Sequence, residues 1–243
     1  MSGTRRIAMW SGPRNLSTAM MRSFAARGDC ACVDEPFYAH YLRQTGLPHP
    51  MRDAVIESQP ADWRQVVPSL TTDPVDRPIQ YQKHMVQHML PCMDLDWTER
   101  VTNVFLIREP ERVAASFAAK RGLPDPEELG FARQWQMYRA MAARGPAPVV
   151  IDSADIRRDP ARALRALCKA IGIAWTPRML SWPQGPRPED GIWGAVWYDA
   201  VNASTGFAGP EGPLPELDGD LARLARILRP DYEAIAAHRL RIE

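Results

Sequence analysis

Lysine is nearly missing from this sequence. Of thirty basic side chains only Lys83, Lys120 and Lys169 are lysines, and all the others are arginine. An arginine bias follows from a genome's base composition, but it also suits bidentate recognition of phosphate. An excess of one charge is absent as well: 30 basic against 29 acidic residues leave a net charge of +1. That balance excludes a general nucleic-acid or membrane-surface binder, so any cationic site must be local. The four cysteines, at 30, 32, 92 and 168, have neither zinc nor thioredoxin-like spacing. Cys30 and Cys32 flank Ala31 in an apolar run and read as buried thiols. No apolar run reaches the ~20 residues of a membrane span, and Ser11-Gly12-Pro13 ends the first one too early for a signal peptide. The chain is therefore expected to be soluble, reduced and cytoplasmic. Repeats and low-complexity linkers are missing too, and 243 residues suffice for one α/β domain with a real core.

What is present is organised around residues 5–24, RRIAMWSGPRNLSTAMMRSF. Residues 7–10 have the length and flanks of a buried strand, and Ser11, Gly12 and Pro13 break it as a tight turn does. From Arg14 onward the pattern is helical, with Leu16, Met20, Ser23 and Phe24 on one face. A helix start carrying Arg14, Asn15, Ser17 and Thr18 offers a phosphate unpaired N–H groups, a positive dipole end and hydroxyls. The same pattern also describes an ordinary βα turn with polar capping residues. It is not a Walker A loop, which needs a second Gly followed by Lys.

Strand and helix then alternate. Residues 30–34 read as a second strand, followed by Glu35-Pro36. Glu35 sits just past a strand end, where ligands of open α/β sheets gather, though a solvated loop acid or an N-cap partner fits that place equally. Residues 44–77 are rich in Pro, Gln and Asp and read as a lid or substrate-facing insertion, with a short helical run around 61–67. Residues 79–85, IQYQKHM, alternate like a strand ending in Lys83-His84; His84 is a candidate general base or a packing residue. With His88 at i+4 it lacks the further ligands of a metal site. Residues 101–107 form the clearest strand, followed by Arg108 and a helix opened by Glu109-Pro110. A helix over 125–144, a strand over 147–151 and a helix over 155–172 complete the alternation. Residues 174–215, dense in Trp, Pro and Gly, resist assignment, and a last helix over about 216–240 breaks at Pro230. This order implies a mostly parallel sheet with helices on both faces.

Together these segments resemble the sulfotransferases. SGPRNLST, residues 11–18, is similar to that family's 5′-phosphosulfate loop, with Arg14 as its cation and Ser17 and Thr18 as its hydroxyls. Gly12, Pro13, Asn15 and Leu16 complete the loop, and Leu16 stands where the family often has Gly. VFLIREPERVAASF, residues 104–117, is similar to the 3′-phosphate segment: a strand, then Arg108, then Ser116 eight residues on. DSADIRRDPARALRALCKAIGI, residues 152–173, resembles the family's late strand, acidic turn and helix. More narrowly, DGIWGAVWYDAVNASTGF at 190–207 is similar to a bacterial and plant subgroup sometimes fused to branched-chain aminotransferase-like domains. No aminotransferase-like part is expected within these 243 residues.

The resemblance implies a single P-loop-NTPase-like α/β domain of three layers, with a mostly parallel central sheet. It implies 3′-phosphoadenosine 5′-phosphosulfate (PAPS) as donor, 3′-phosphoadenosine 5′-phosphate (PAP) as product, no metal, and a small-molecule hydroxyl or amine acceptor. Neither nucleic acid nor membrane is an expected partner, and the sequence carries no sign of oligomeric state. In different branches of the family the base is a His after Lys at a strand end, matched by His84, or a Glu before Pro, matched by Glu35. Trp182, Trp193, Trp197 and Tyr198 are candidate walls of an acceptor pocket, or core. Two other classes stay open on the residues. A small-molecule kinase on a P-loop-like fold needs a Lys and a magnesium carboxylate near the loop, yet Arg108 stands where a Walker B Asp would. The other is a non-catalytic nucleotide-binding or scaffold protein.

Overall fold

Successive side chains of a strand point to opposite faces of its sheet, and in the computed structural model, which describes residues 3–242, that alternation builds two cores. The strands are β1 (Arg5–Ser11), β2 (Cys30–Asp34), β3 (Ile79–Met85), β4 (Thr102–Ile107) and β5 (Val149–Asp152). Ile7 and Met9 of β1, Val104 and Leu106 of β4, and Ile151 of β5 enter one apolar cluster. Their neighbours Ala8, Trp10, Phe105, Ile107 and Val150 enter the other. The sheet order is β2-β3-β1-β4-β5, and every pairing is parallel.

Parallel neighbours need crossover connections. The helices that supply and pack them are α1 (Ser17–Ala25), α2 (Tyr38–Thr45), α3 (Arg52–Ser58), α4 (Trp63–Thr71), α5 (Pro110–Arg121), α6 (Pro126–Leu129), α7 (Phe131–Ala142), α8 (Ser153–Arg158), α9 (Pro160–Ala170), α10 (Gly194–Trp197), α11 (Asp199–Asn202) and α12 (Gly219–Ala236). α1, α2 and α9 cover one face through Met20, Phe24, Leu42 and Leu164. α4, α5, α7 and α12 cover the other through Leu70, Val113, Met137 and Leu228. This is the expected three-layer arrangement. Among the described residues no helix is long and apolar enough to cross a membrane.

Several boundaries differ from the sequence reading, each for a physical reason. In the 44–77 stretch, expected as a lid or substrate-facing insertion, α4 buries Trp63, Val66 and Leu70 in the core, and the Leu70 carbonyl accepts from Gln82 Nε2 of β3 at 2.7 Å. The helix expected over 125–144 divides at Gly130, whose φ of 73° ends α6 and starts α7. That over 155–172 divides at Asp159, whose carboxylate accepts from the Arg162 N–H as the cap of α9. α12 runs through Pro230 without a break. The unassigned 174–215 stretch holds a 3-10 turn (Pro177–Leu180), the short helices α10 and α11, and otherwise irregular chain.

Candidate active site

Sheet order reverses at β1, with β3 on one side and β4 on the other, and a crevice forms beyond strand ends at such a point. The 12–16 turn lies there. A Cβ on Gly12 would stand 2.6 Å from the Leu129 carbonyl oxygen, so only glycine lets the turn pass under the α6–α7 junction. Arg14 and Leu16 then take left-handed φ values of 57° and 58°, which cost a non-glycine residue about 1–2 kcal/mol each. Leu16 thus occupies the conformation a glycine would favour, and it caps α1 without any side-chain hydrogen bond. Left-handed residues in a turn gather backbone N–H groups into an anion-binding concavity, and α1 adds its unpaired first-turn donors. Asn15 pins the turn to the sheet, Nδ2 donating to the Leu106 carbonyl at 2.7 Å.

Two cations and a hydroxyl converge on this turn. Arg14 Nε donates to Ser116 Oγ at 2.9 Å, joining the loop to the second turn of α5. Arg108, just past β4, donates from Nη1 to the Arg14 carbonyl at 2.5 Å. Burial, and then the neighbouring Arg108 charge, depress the Arg14 guanidinium from its ordinary value. Like charges held this close favour an anion between them.

The carboxylate chemistry lies at the ends of β2 and β3. Asp34 and Lys83 are register partners across those strands, and Glu35 follows with a φ of 40°. Lys83 Nζ donates to Glu35 Oε1 at 2.5 Å, to Asp34 Oδ1 at 2.8 Å and to the Tyr198 hydroxyl at 2.7 Å. Tyr198 also accepts from Trp193 Nε1 at 3.0 Å and donates to Asp34 Oδ2 at 2.7 Å. Burial lowers the ammonium's pKa, but Asp34 and Glu35 override it, so Lys83 is held above its ordinary value. Burial raises the Glu35 carboxyl above the ordinary range even though Lys83 pulls it back. Glu35 Oε2 lies 4.0 Å from His88 Nδ1. That ring stacks on Tyr38 and Tyr41 with centroids 4.6 and 4.7 Å away, and burial keeps it neutral.

A single cavity of about 350 Å³ is lined by residues 13–18, Glu35, Arg108 and Ser116, together with Lys83, His88, Trp197 and Tyr198. Gly12, against the Leu129 carbonyl, lies outside its lining. His84 is outside it as well. Lys83 and His84 are consecutive in a strand, so they face opposite layers. The His84 ring is walled by Trp10 at 4.2 Å, Phe37 at 5.5 Å and Trp97 at 5.7 Å, and burial pushes its pKa down to about 3. From that layer the ring does not border the cavity, contrary to the placement expected of a base.

The 174–215 stretch closes the site. Asp190 makes a bidentate ion pair with the buried Arg22 of α1, and the Gly191 N–H donates to Asp34 Oδ2 at 3.0 Å. A Cβ on Gly191 would fall 2.0 Å from the Trp193 ring, so this turn admits glycine alone. Of the four aromatics noted in the sequence, Trp197 and Tyr198 line the cavity, Trp193 holds the Tyr198 hydroxyl, and Trp182 packs elsewhere against Phe207. Lys83, Asp34 and Tyr198 are the residues that sequence reasoning missed as a unit. Alternation along β3 signals Lys83, whereas nothing local signals a tyrosine 115 residues further on.

A family model described as a sulfotransferase domain matches residues 5–239. Two curated Arabidopsis thaliana proteins match over 205 residues: branched-chain-amino-acid aminotransferase-like protein 1 at 38% identity and protein 2 at 35%. Each match covers 84% of this chain but only 37% and 36% of the relatives, so the chain spans little more than a third of their length. Among solved structures, the sulfotransferase domain from the curacin biosynthetic pathway has a TM-score of 0.55 at 19% identity, over 94% of this chain and 99% of that one. A sulfotransferase from Alicyclobacillus acidocaldarius has a TM-score of 0.55 at 12% identity, over 99% and 98%. At such identities these two likenesses speak to the fold.

Proposed function

This chain belongs to the sulfotransferase domain family, and we propose that it transfers a sulfuryl group from PAPS to a hydroxyl or amine of a small molecule. The observation that carries this reading is the shared cavity. One space is bordered by the anion-binding turn, by Arg108 and Ser116, and by a buried carboxylate with a raised pKa.

The donor set fits a nucleotide with phosphates at both ends. Residues 13–18 and the first turn of α1 would hold the 5′-phosphosulfate, and Arg108 with Ser116 the 3′-phosphate. What PAPS supplies is a sulfuryl group on a good leaving phosphate. The chain supplies the rest. Glu35 accepts the proton of the acceptor hydroxyl or amine, and its raised pKa brings it nearer to neutral, where a general base is most effective. Lys83 fixes Glu35 by a 2.5 Å hydrogen bond, and Asp34 and Tyr198 fix Lys83 in turn. Arg14 and the N-terminus of α1 stabilise negative charge developing at the bridging oxygen; one such donor is worth about 2.7–4 kcal/mol of barrier. Tyr38, Tyr41 and His88 offer the acceptor apolar, neutral walls.

The test is transfer of radiolabelled sulfate from PAPS to a panel of phenols, alcohols and amines. Glu35→Gln is expected to lower the rate on any active acceptor by about 10²–10⁴-fold while PAP still binds. Unchanged turnover in that variant refutes Glu35 as the base.

A further inference from the structure

Between residues 207 and 218 the chain has neither helix nor strand. Residues 208–210 and 212–214 are exposed, yet the side chain of Glu211 between them is only 7% exposed. It is turned inward onto three arginines, from the β4–α5 loop, α5 and α8. Its Oε1 pairs with Arg108 Nη2 and with Arg157 Nη1 of α8 at 2.6 Å; its Oε2 lies 3.5 Å from Arg112 Nε of α5. Two of these arginines also grip the backbone on either side of the glutamate. Arg157 Nε donates to the Gly209 carbonyl at 2.9 Å, and Arg112 Nη2 donates to the Gly212 carbonyl at 2.6 Å. Gly209 and Gly212 have open space around them. An open depression bordered by Arg108, Arg112, Ser116 and Pro213 lies beside the cluster.

Charge and shape both mark this as an anion subsite with a substitute in it. Three guanidiniums face Glu211, and Arg112 also pairs with Glu109 Oε2 at 2.9 Å, so the cluster keeps an excess of one positive charge with Glu211 docked and of two without it. A phosphate monoester brings about −1.5 to −2 and three acceptor oxygens, a closer match than a carboxylate's single charge and two oxygens. Burial works against the ionised form of Glu211, but Arg108 above all holds its carboxyl below the ordinary value. The pairing is therefore carboxylate with guanidinium across the neutral range.

We propose that Glu211 is a built-in stand-in for the 3′-phosphate of the donor. It binds Arg108, Arg112 and Arg157 while the nucleotide is away, and the incoming 3′-phosphate displaces it and releases the 208–215 strap. The proposal rests on the PAPS reading and extends it in two ways. It adds Arg112 and Arg157 to the 3′-phosphate ligands, and it makes opening of the strap a condition of donor binding. Apparent affinity falls in proportion to the fraction of molecules whose site is free. A docked carboxylate favoured ten to one would weaken PAP binding about tenfold.

The experiment is calorimetric titration of the wild type, Glu211→Gln and Glu211→Ala with PAP, and separately with adenosine 5′-phosphosulfate, which lacks the 3′-phosphate. Both variants are expected to bind PAP about tenfold tighter and to change little toward adenosine 5′-phosphosulfate. Weaker PAP binding by the variants would mean that Glu211 only orients Arg108, and equal binding would mean that the two do not compete; either result overturns the proposal. PAP bound by none of the three proteins refutes the donor reading itself, and the proposal falls with it. PAP bound by the wild type with no gain in the variants sinks the stand-in alone.

Discussion

Replacing Lys83 by methionine keeps the volume of the side chain and removes only its charge and donors. The ammonium is 1% exposed and bonds to Glu35, Asp34 and Tyr198 at 2.5, 2.8 and 2.7 Å. Without it two adjacent buried carboxylates face each other with no cation between them. Breaking a buried pair in this way costs about 3–5 kcal/mol. For a domain of 243 residues that corresponds to a fall of about 6–20 °C in melting temperature. The loss has a definite pH dependence. Glu35 is already held above its unfolded value by burial, and loss of the ammonium raises it further. A carboxyl whose folded pKa exceeds its unfolded value near 4.3 stabilises fully below that value, and the contribution disappears as pH rises through the folded pKa. The gap between Lys83→Met and wild type should therefore be widest near pH 8 and narrow toward pH 5. Urea denaturation at the two pH values, followed by tryptophan fluorescence, measures it. A loss below 1 kcal/mol, or an equal loss at both pH values, would refute the proposed electrostatics.

Activity should fall as pH drops through the raised pKa of Glu35, at a pH above the ordinary carboxylate range. His84→Gln, measured as a pH–rate profile, should leave that limb in place, because His84 packs on the far side of the sheet. Arg108→Ala should weaken PAP far more than adenosine 5′-phosphosulfate, read as two calorimetric titrations; equal losses contradict its assignment to the 3′-phosphate. Gly12→Ala drives a methyl into the Leu129 carbonyl, 2.6 Å from an ideal Cβ. It should cost about 1–3 kcal/mol by urea denaturation, and a neutral result would mean that the turn can shift without penalty.

Much of this organisation was legible in the sequence because it depends on local periodicity. β2 and β3 fall on the apolar and alternating runs over residues 30–34 and 79–85. The turn between Ser11 and Ser17 was marked by Gly12 and Pro13 and by the change from strand to helical spacing. Arg108 and Ser116 were legible because β4 and α5 are contiguous. What was not legible depends on contacts distant in sequence. The 44–77 stretch looks polar and loop-like, but its Trp63, Val66 and Leu70 are spaced to bury one helical stripe, and only the sheet beneath shows why. Pro230 reads as a break in the sequence, yet α12 carries it within an unbroken helix. The strand rule that consecutive residues face opposite layers puts His84 away from Lys83, Asp34 and Glu35, which is why the proposed chemistry uses Glu35. Tyr198 and Glu211 had no local signal, because each acts on partners about a hundred residues earlier in the chain.

The turn after β1, with Arg108 and Ser116, is proposed to hold a 3′-phosphorylated adenine nucleotide. The most direct measurement is calorimetric titration of the purified protein with PAP in a chelator, beside ATP with magnesium. PAP is expected to bind in the micromolar range, about −8 kcal/mol, without metal, and ATP with magnesium is expected to show no measurable binding. Preference for ATP with magnesium would contradict this reading in favour of phosphoryl transfer, and binding of neither nucleotide would contradict it in favour of a scaffold that keeps the fold alone.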